Sequence, residues 1–163
     1  YENTVVCYSY SKSLSLPGER IGYLLVNPAC EDWQGVYASL CGAGRALGFV
    51  CAPALFQRLL PFVSGQTGDL SIYKRNRDLL CGALTDMGFT VVRPDGAFYL
   101  FVKSPLTDAR AFSEAAKKYE LLLVPSDSFG VSGYLRISYC VDTDTIRRAL
   151  PAFEQLAKEF IHE

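Results

Sequence analysis

Val5-Val6-Cys7-Tyr8-Ser9-Tyr10-Ser11-Lys12-Ser13-Leu14-Ser15-Leu16-Pro17-Gly18-Glu19-Arg20-Ile21-Gly22-Tyr23-Leu24-Leu25-Val26 is the stretch that decides the fold. It opens in a β-rich run over residues 4–8, passes through a Ser-rich loop over 9–16 and turns at Pro17-Gly18. It then enters a near-continuous apolar run over 21–26, the pattern of a strand buried on both faces, which Asn27-Pro28 ends. A lysine in a loop directly after a buried strand can be partly desolvated, and desolvation favours the neutral amine that Schiff-base chemistry needs. The hydroxyls of Ser9 and Ser11 and the guanidinium of Arg20 are donors suited to a phosphate dianion. Together these groups describe a site for an aldehyde that carries a phosphate. Taken alone, Lys12 has the commoner reading of a solvated loop lysine. The glycines of a P-loop are missing ahead of it.

Outward from this stretch, residues 31–43 read as a helix, after which Gly42, Gly44 and Gly48 loosen the chain. A second helix begins near Pro53, a residue tolerated in a first helical turn, and runs to about residue 63. Ser64-Gly65-Gln66-Thr67-Gly68 is the best candidate boundary. A long helix follows from about 69 to 87, with Tyr73, Leu80, Leu84 and Met87 on one stripe and Gly88 as its stop. Lys74, Arg75, Arg77 and Asp78 largely face the other way.

The remainder reads as α+β. Strands are predicted at 89–93, 96–102, 121–124 and 134–140, with Pro94-Asp95-Gly96 as the tight link between the first two. Thr107 or Asp108 caps a helix whose apolar face holds Phe112, Ala115, Ala116 and Tyr119. Asp142 or Thr143 opens a terminal helix with Ile146, Leu150, Phe153, Ala157 and Phe160 on one side, which Pro151 should kink or divide.

Sixteen Lys and Arg balance seventeen Asp and Glu, so the chain lacks the basic excess that marks a nucleic-acid partner. The longest apolar stretches fall short of the roughly 20 residues that cross a bilayer, and no signal peptide precedes them. The six cysteines contain no C-x-x-C pair, and the single histidine is His162, so clustered zinc ligands are not expected. Cysteines scattered in this way read as small buried hydrophobes in a reducing, cytoplasmic setting. The start, Tyr1-Glu2-Asn3 running at once into a strand, reads as a cut from inside a longer protein.

The segment from Val5 to Tyr23 resembles the lysine motif of class I/II aminotransferases of pyridoxal-phosphate (PLP) fold type I. Its form there is a strand, S-x-S-K, a variable loop, then G-x-R-x-G-Y, with the same spacing of eight from lysine to arginine. Three further segments resemble the family in the right order. Tyr73-Lys74-Arg75-Asn76-Arg77-Asp78 is similar to the start of its interdomain helix, and Pro94-Asp95-Gly96-Ala97-Phe98-Tyr99 to its P-x-G-A-F-Y hairpin. Val124-Pro125 through Phe129-Gly130 to Arg136-Ile137-Ser138 is similar to its segment ending in R-I-S. Where the family has glycine after that proline, this chain has Ser126.

The resemblance implies a PLP-dependent aminotransferase that moves an amino group from an L-amino acid to a 2-oxo acid. Lys12 would carry the cofactor as an aldimine, and Ser9, Ser11 and Arg20 would bind its phosphate. Arg136 would hold the substrate α-carboxylate. From the residues alone, Arg136 sits in mid-strand opposite the face of Leu135, Ile137 and Tyr139, where it needs either a nearby Asp or Glu or an external anion. Arg45 is a surface arginine, or a contact for a dicarboxylic substrate.

The implied fold is α/β. Residues 1–65 would be the C-terminal part of the PLP-binding large domain. Residues 66–163 would be a small α+β domain with the interdomain helix and a short, mostly antiparallel sheet flanked by helices. A homodimer is implied for the full-length protein. The family's groups that tune the cofactor ring precede the lysine strand, so the chain alone is expected to bind PLP weakly and turn over negligibly. Lyases and decarboxylases share the lysine motif, and a non-catalytic module over 66–163 is the alternative of another class.

Overall fold

Val5–Ser9 (β1) and Gly22–Val26 (β2) pair antiparallel in a two-stranded sheet, in register from Val5 opposite Val26 to Ser9 opposite Gly22. This hairpin belongs to the first of two compact units, Tyr1–Gly68 and Asp69–Glu163. The computed structural model describes residues 1–161, so His162 lies outside the described residues.

The Ser-rich segment is not all loop. Tyr10–Ser13 (α1) forms one helical turn, because Ser9 takes an extended backbone and its Oγ accepts from the Ser11 amide at 3.2 Å. Further along, Trp33–Ala46 (α2) starts at Asp32, whose carboxylate accepts from the Gly35 amide. It runs through Gly42 and Gly44, and the chain turns only at Gly48, where φ is +85°. Ala54–Val63 (α3) follows directly on Pro53.

The expectation that β2 is buried on both faces is not met. Tyr23, Leu24 and Leu25 are exposed, Leu25 by 57 %. A sheet of two strands has two open edges, and the helices of this unit cover it only in part. Ile21, 3 % exposed, is the one buried hydrophobic residue of the unit among the described residues.

The second unit begins with Leu70–Asp86 (α4), capped by Asp69, which accepts from the Ser71 amide at 2.9 Å. Four antiparallel strands follow: Val91–Val92 (β3), Tyr99–Lys103 (β4), Val124–Pro125 (β5) and Tyr134–Ser138 (β6). Their order in the sheet is β3-β4-β6-β5. β3 and β5 are shorter than their sequence predicts because neighbouring amides are committed elsewhere. Phe89 donates back to Leu84 and Leu121 to Ala116, each closing a helix end.

Ala109–Ala116 (α5), capped by Asp108, and Thr143–Phe160 (α6), capped by Asp142, complete the unit. α6 is one helix and is not divided at Pro151. Pro151 and Arg147, whose carbonyl loses its donor there, are both exposed, so water can satisfy the freed group.

One core gathers Leu80, Leu84, Leu100, Val102, Phe112, Leu135, Phe153 and Leu156, each at most 4 % exposed. Asn76, fully buried in α4, donates to the carbonyls of Tyr139 (3.1 Å) and Val141 (2.7 Å) and accepts from Thr143 Oγ1 (2.7 Å). Its amide thereby holds the end of β6 and the start of α6 to α4.

The cysteines depart from expectation. Only Cys81 is buried; Cys7, Cys51 and Cys140 are exposed, and Cys30 and Cys41 lie between. They fall on faces that this chain leaves open, so apolar sequence context does not bury them.

Candidate functional site

The backbone segments that carry Ser9, Ser11, Lys12 and Arg20 lie at the same end of the β1–β2 hairpin. Ser9 closes β1 opposite Gly22, and the Tyr10 amide donates to the Ile21 carbonyl at 3.1 Å, tying the turn that carries Lys12 to the segment that follows Arg20. Within the turn, Ser9 Oγ donates to Ser11 Oγ at 2.9 Å, so two hydroxyls converge. The Ser13 carbonyl accepts from the Gly68 amide at 3.3 Å, which fastens the far end of the turn.

The intervening loop is bracketed by two non-glycine residues in the left-handed region, Ser15 at φ 55° and Arg20 at φ 51°. That conformation costs an L-residue roughly 1–2 kcal/mol, and such strain clusters at functional sites. The Arg20 guanidinium donates to the Pro17 carbonyl at 2.6 Å. Lys12 and Arg20 are both exposed within this chain.

Gly22 governs how closely the two strands meet. A Cβ placed there would lie 2.3 Å from the Tyr8 carbonyl oxygen and 3.2 Å from the Ser9 Cα. No side chain fits without moving the strands apart. Around it, the rings of Tyr8 and Tyr23 stack at 5.1 Å between centroids, and Tyr10 meets Tyr8 edge-on at the same separation. Arg45, read as part of a Gly-rich loop, lies in the last turn of α2. It lines an open cavity of about 540 Å³ with Tyr8, Tyr23 and Tyr37.

Arg136 lies in the second unit, at the middle of β6, opposite Phe101 of β4 and Val124 of β5. Leu135 and Tyr139 on the other face are buried, so the period-two reading of this strand holds. Among the described residues no Asp or Glu forms an ion pair with Arg136. Its guanidinium instead lies over two rings, with Cζ 4.5 Å from the centroid of Tyr99 and 4.3 Å from that of Phe129.

The order of these elements along the chain can be set against known proteins. The model of the "Aminotransferase class I and II" family matches residues 1–153. The chain belongs to this family. An aromatic-amino-acid aminotransferase of Thermococcus litoralis is 29 % identical to it, over 98 % of this chain and 42 % of the relative. The crystal structure of an aminotransferase from Eubacterium rectale superposes with a TM-score of 0.89 at 55 % identity, over 99 % of this chain and 40 % of that one. An aspartate aminotransferase variant of Thermus thermophilus, in complex with tryptophan, gives 0.77 at 26 % identity, over 95 % and 41 %. The chain thus spans about two fifths of the length of these aminotransferases.

In this member of a PLP-dependent family, three residues with structural roles in the second unit escape a reading by residue type. Asn76 was open to detection, since it completes the spacing of the apolar stripe between Tyr73 and Leu80. Tyr99 and Phe129 stand inside the hairpin motif and the segment ending in R-I-S, but thirty residues apart they carry no sign that both rings meet Arg136. Among the described residues no cluster of three or more His, Cys, Asp or Glu is placed to hold a metal ion. No described helix is long and apolar enough to cross a membrane.

Proposed function

We propose that the protein to which this chain belongs is a PLP-dependent aminotransferase acting on an L-amino acid and a 2-oxo acid. In this reading Lys12 is the cofactor lysine and Arg136 the carboxylate anchor. Residues 1–65 then belong to the cofactor-binding domain and residues 66–163 to the smaller domain. The observation that carries the reading is that one end of the β1–β2 hairpin carries the segments bearing an amine, two adjacent hydroxyls and a guanidinium, in a chain of this family.

The donor set suits the group. Ser9 and Ser11 offer two adjoining hydroxyls 2.9 Å apart, whose protons can turn to an anion, Arg20 a charged planar donor, and Lys12 the amine. When bound, PLP supplies an aldehyde and an electron-withdrawing ring. The chain's own residues do the rest. The hydroxyls and Arg20 hold the phosphate dianion through charge-assisted hydrogen bonds. Lys12 Nζ would hold the cofactor's aldehyde carbon and, once free, would take the proton from the substrate Cα as general base. Arg136, through two parallel N–H···O bonds to the α-carboxylate, fixes which Cα bond faces that base.

Borohydride trapping with PLP, followed by peptide mass mapping, tests the assignment. The reduced adduct should fall on the peptide containing Lys12, ahead of the chain's other lysines, and disappear from that peptide in Lys12→Ala. Labelling spread evenly over surface lysines, with Lys12 no better than the rest, would refute the role of Lys12.

A further inference from the structure

An arginine that must present a carboxylate with two parallel donors has to be held in one orientation before the anion arrives. A guanidinium on a flexible stem otherwise loses rotamer freedom on binding, and that loss weakens the complex. Arg136 has no carboxylate partner among the described residues to hold it. What it has are two rings from opposite neighbours of β6: Tyr99 from β4, and Phe129 from the turn that follows β5.

We propose that Tyr99 and Phe129 are positioning residues that clamp the Arg136 guanidinium between their rings and leave its in-plane N–H edge to the incoming carboxylate. The inference rests on the reading of Arg136 as a carboxylate anchor. All five guanidinium donors lie in its plane, so a ring that stacks on a flat face takes none of them. The attraction of the cation for two ring faces fixes the side chain without neutralising it. An Asp or Glu in the same place would hold Arg136 as well, but it would occupy the donors and repel the substrate.

Phe129 is itself set by Ser126. That residue is fully buried, and its hydroxyl donates to the Val131 carbonyl and accepts from the Tyr134 amide at 3.1 Å. These two bonds close the segment between β5 and β6, and Phe129 ends the 3₁₀ turn Ser126–Phe129 inside it. The hydroxyl at the position where the resembling motif carries glycine thus anchors the turn that presents the ring.

The test uses the 163-residue chain labelled with ¹⁵N-arginine, reading rotation about Nε–Cζ of Arg136 and its shift on titration with maleate, a dicarboxylate probe. In the unsubstituted chain, Arg136 should rotate several-fold more slowly than the exposed Arg110 and Arg147. Phe129→Leu and Ser126→Ala should release that rotation and weaken maleate binding roughly fivefold, the scale of one cation–ring contact. Phe129→Tyr should restore both. Phe129 is 44 % exposed, so the Leu variant should keep its thermal midpoint, which separates loss of the clamp from loss of the fold. Maleate that leaves Arg136 unmoved in the unsubstituted chain overturns the carboxylate reading itself. Maleate that binds the unsubstituted chain and Phe129→Leu equally well, with unchanged rotation, overturns the clamp alone.

Discussion

Phe112, Leu84 and Leu156 of the second unit are enclosed completely, whereas Leu24, Tyr37 and Phe62 of the first stand in solvent. Both units are built from apolar strands and amphipathic helices, so composition does not separate them. What separates them is closure. In Asp69–Glu163 three helices and a four-stranded sheet face one another across a shared core, and Asn76 satisfies the backbone where α4 meets the end of β6. In Tyr1–Gly68 a two-stranded sheet and its helices leave apolar faces uncovered. The two proposed anchors therefore rest on unlike supports: Arg136 on a strand locked into a core, Lys12 on a hairpin held by its own backbone bonds and a serine cap.

If this contrast is real, equal truncations should have unequal costs. Phe112→Ala should lose about 3–5 kcal/mol in denaturant unfolding, the cost of emptying a closed core. Phe62→Ala, 77 % exposed, should stay within about 0.5 kcal/mol. Comparable losses at both positions would break the comparison. Thiol labelling sharpens it. Burial pushes the Cys81 thiol up and hides it from reagent, whereas Cys7 is open on β1. Under native conditions Cys7 should react about a hundredfold faster, a gap that closes when the chain unfolds.

A smaller effect belongs to the link between α4 and β6. Asn76→Ala leaves the Tyr139 and Val141 carbonyls without that donor and should cost about 1–3 kcal/mol, again by denaturant unfolding. The smallest is electrostatic. Glu159 accepts from the Tyr119 hydroxyl and pairs with Lys118 at 2.9 Å, and these contacts hold its carboxyl below the ordinary 4.5. A depressed folded value means that the contribution is complete above the unfolded value and is lost as pH falls through the folded one. Glu159→Gln should lower the melting temperature by a few degrees at most at pH 7, and the difference should vanish at acid pH.

Much of the second unit was legible because its periodicities have a single resolution. The stripe of Leu80 and Leu84, the apolar side of α6 and the alternation around Arg136 each named a face, and each face met another in the same chain. The hairpin was legible as strands and turn but not in its exposure, since an apolar run states what a face favours and not whether anything covers it. The same gap explains the cysteines. Ser9 was read as loop when it caps a helical turn, a choice decided by one local hydrogen bond. The groups proposed for the site were named from motif spacing. Tyr99 and Phe129 fall inside two of the family's motifs, but their meeting at Arg136 was not legible, because it depends on how β4, β5 and β6 are ordered, which no local pattern encodes.

Gly22 bears on that hairpin in a further way. Antiparallel pairing could slide by one residue, and a slide would turn every side chain to the opposite face. Either neighbour, Ile21 or Tyr23, brought to the place of Gly22 would drive a Cβ into the Tyr8 carbonyl, where the room is 2.3 Å. The missing side chain is therefore a gauge that admits one alignment of the two strands. Because Ser9 ends β1 and Arg20 lies two residues ahead of β2, the same gauge also sets how the backbones that carry the two proposed phosphate donors are spaced.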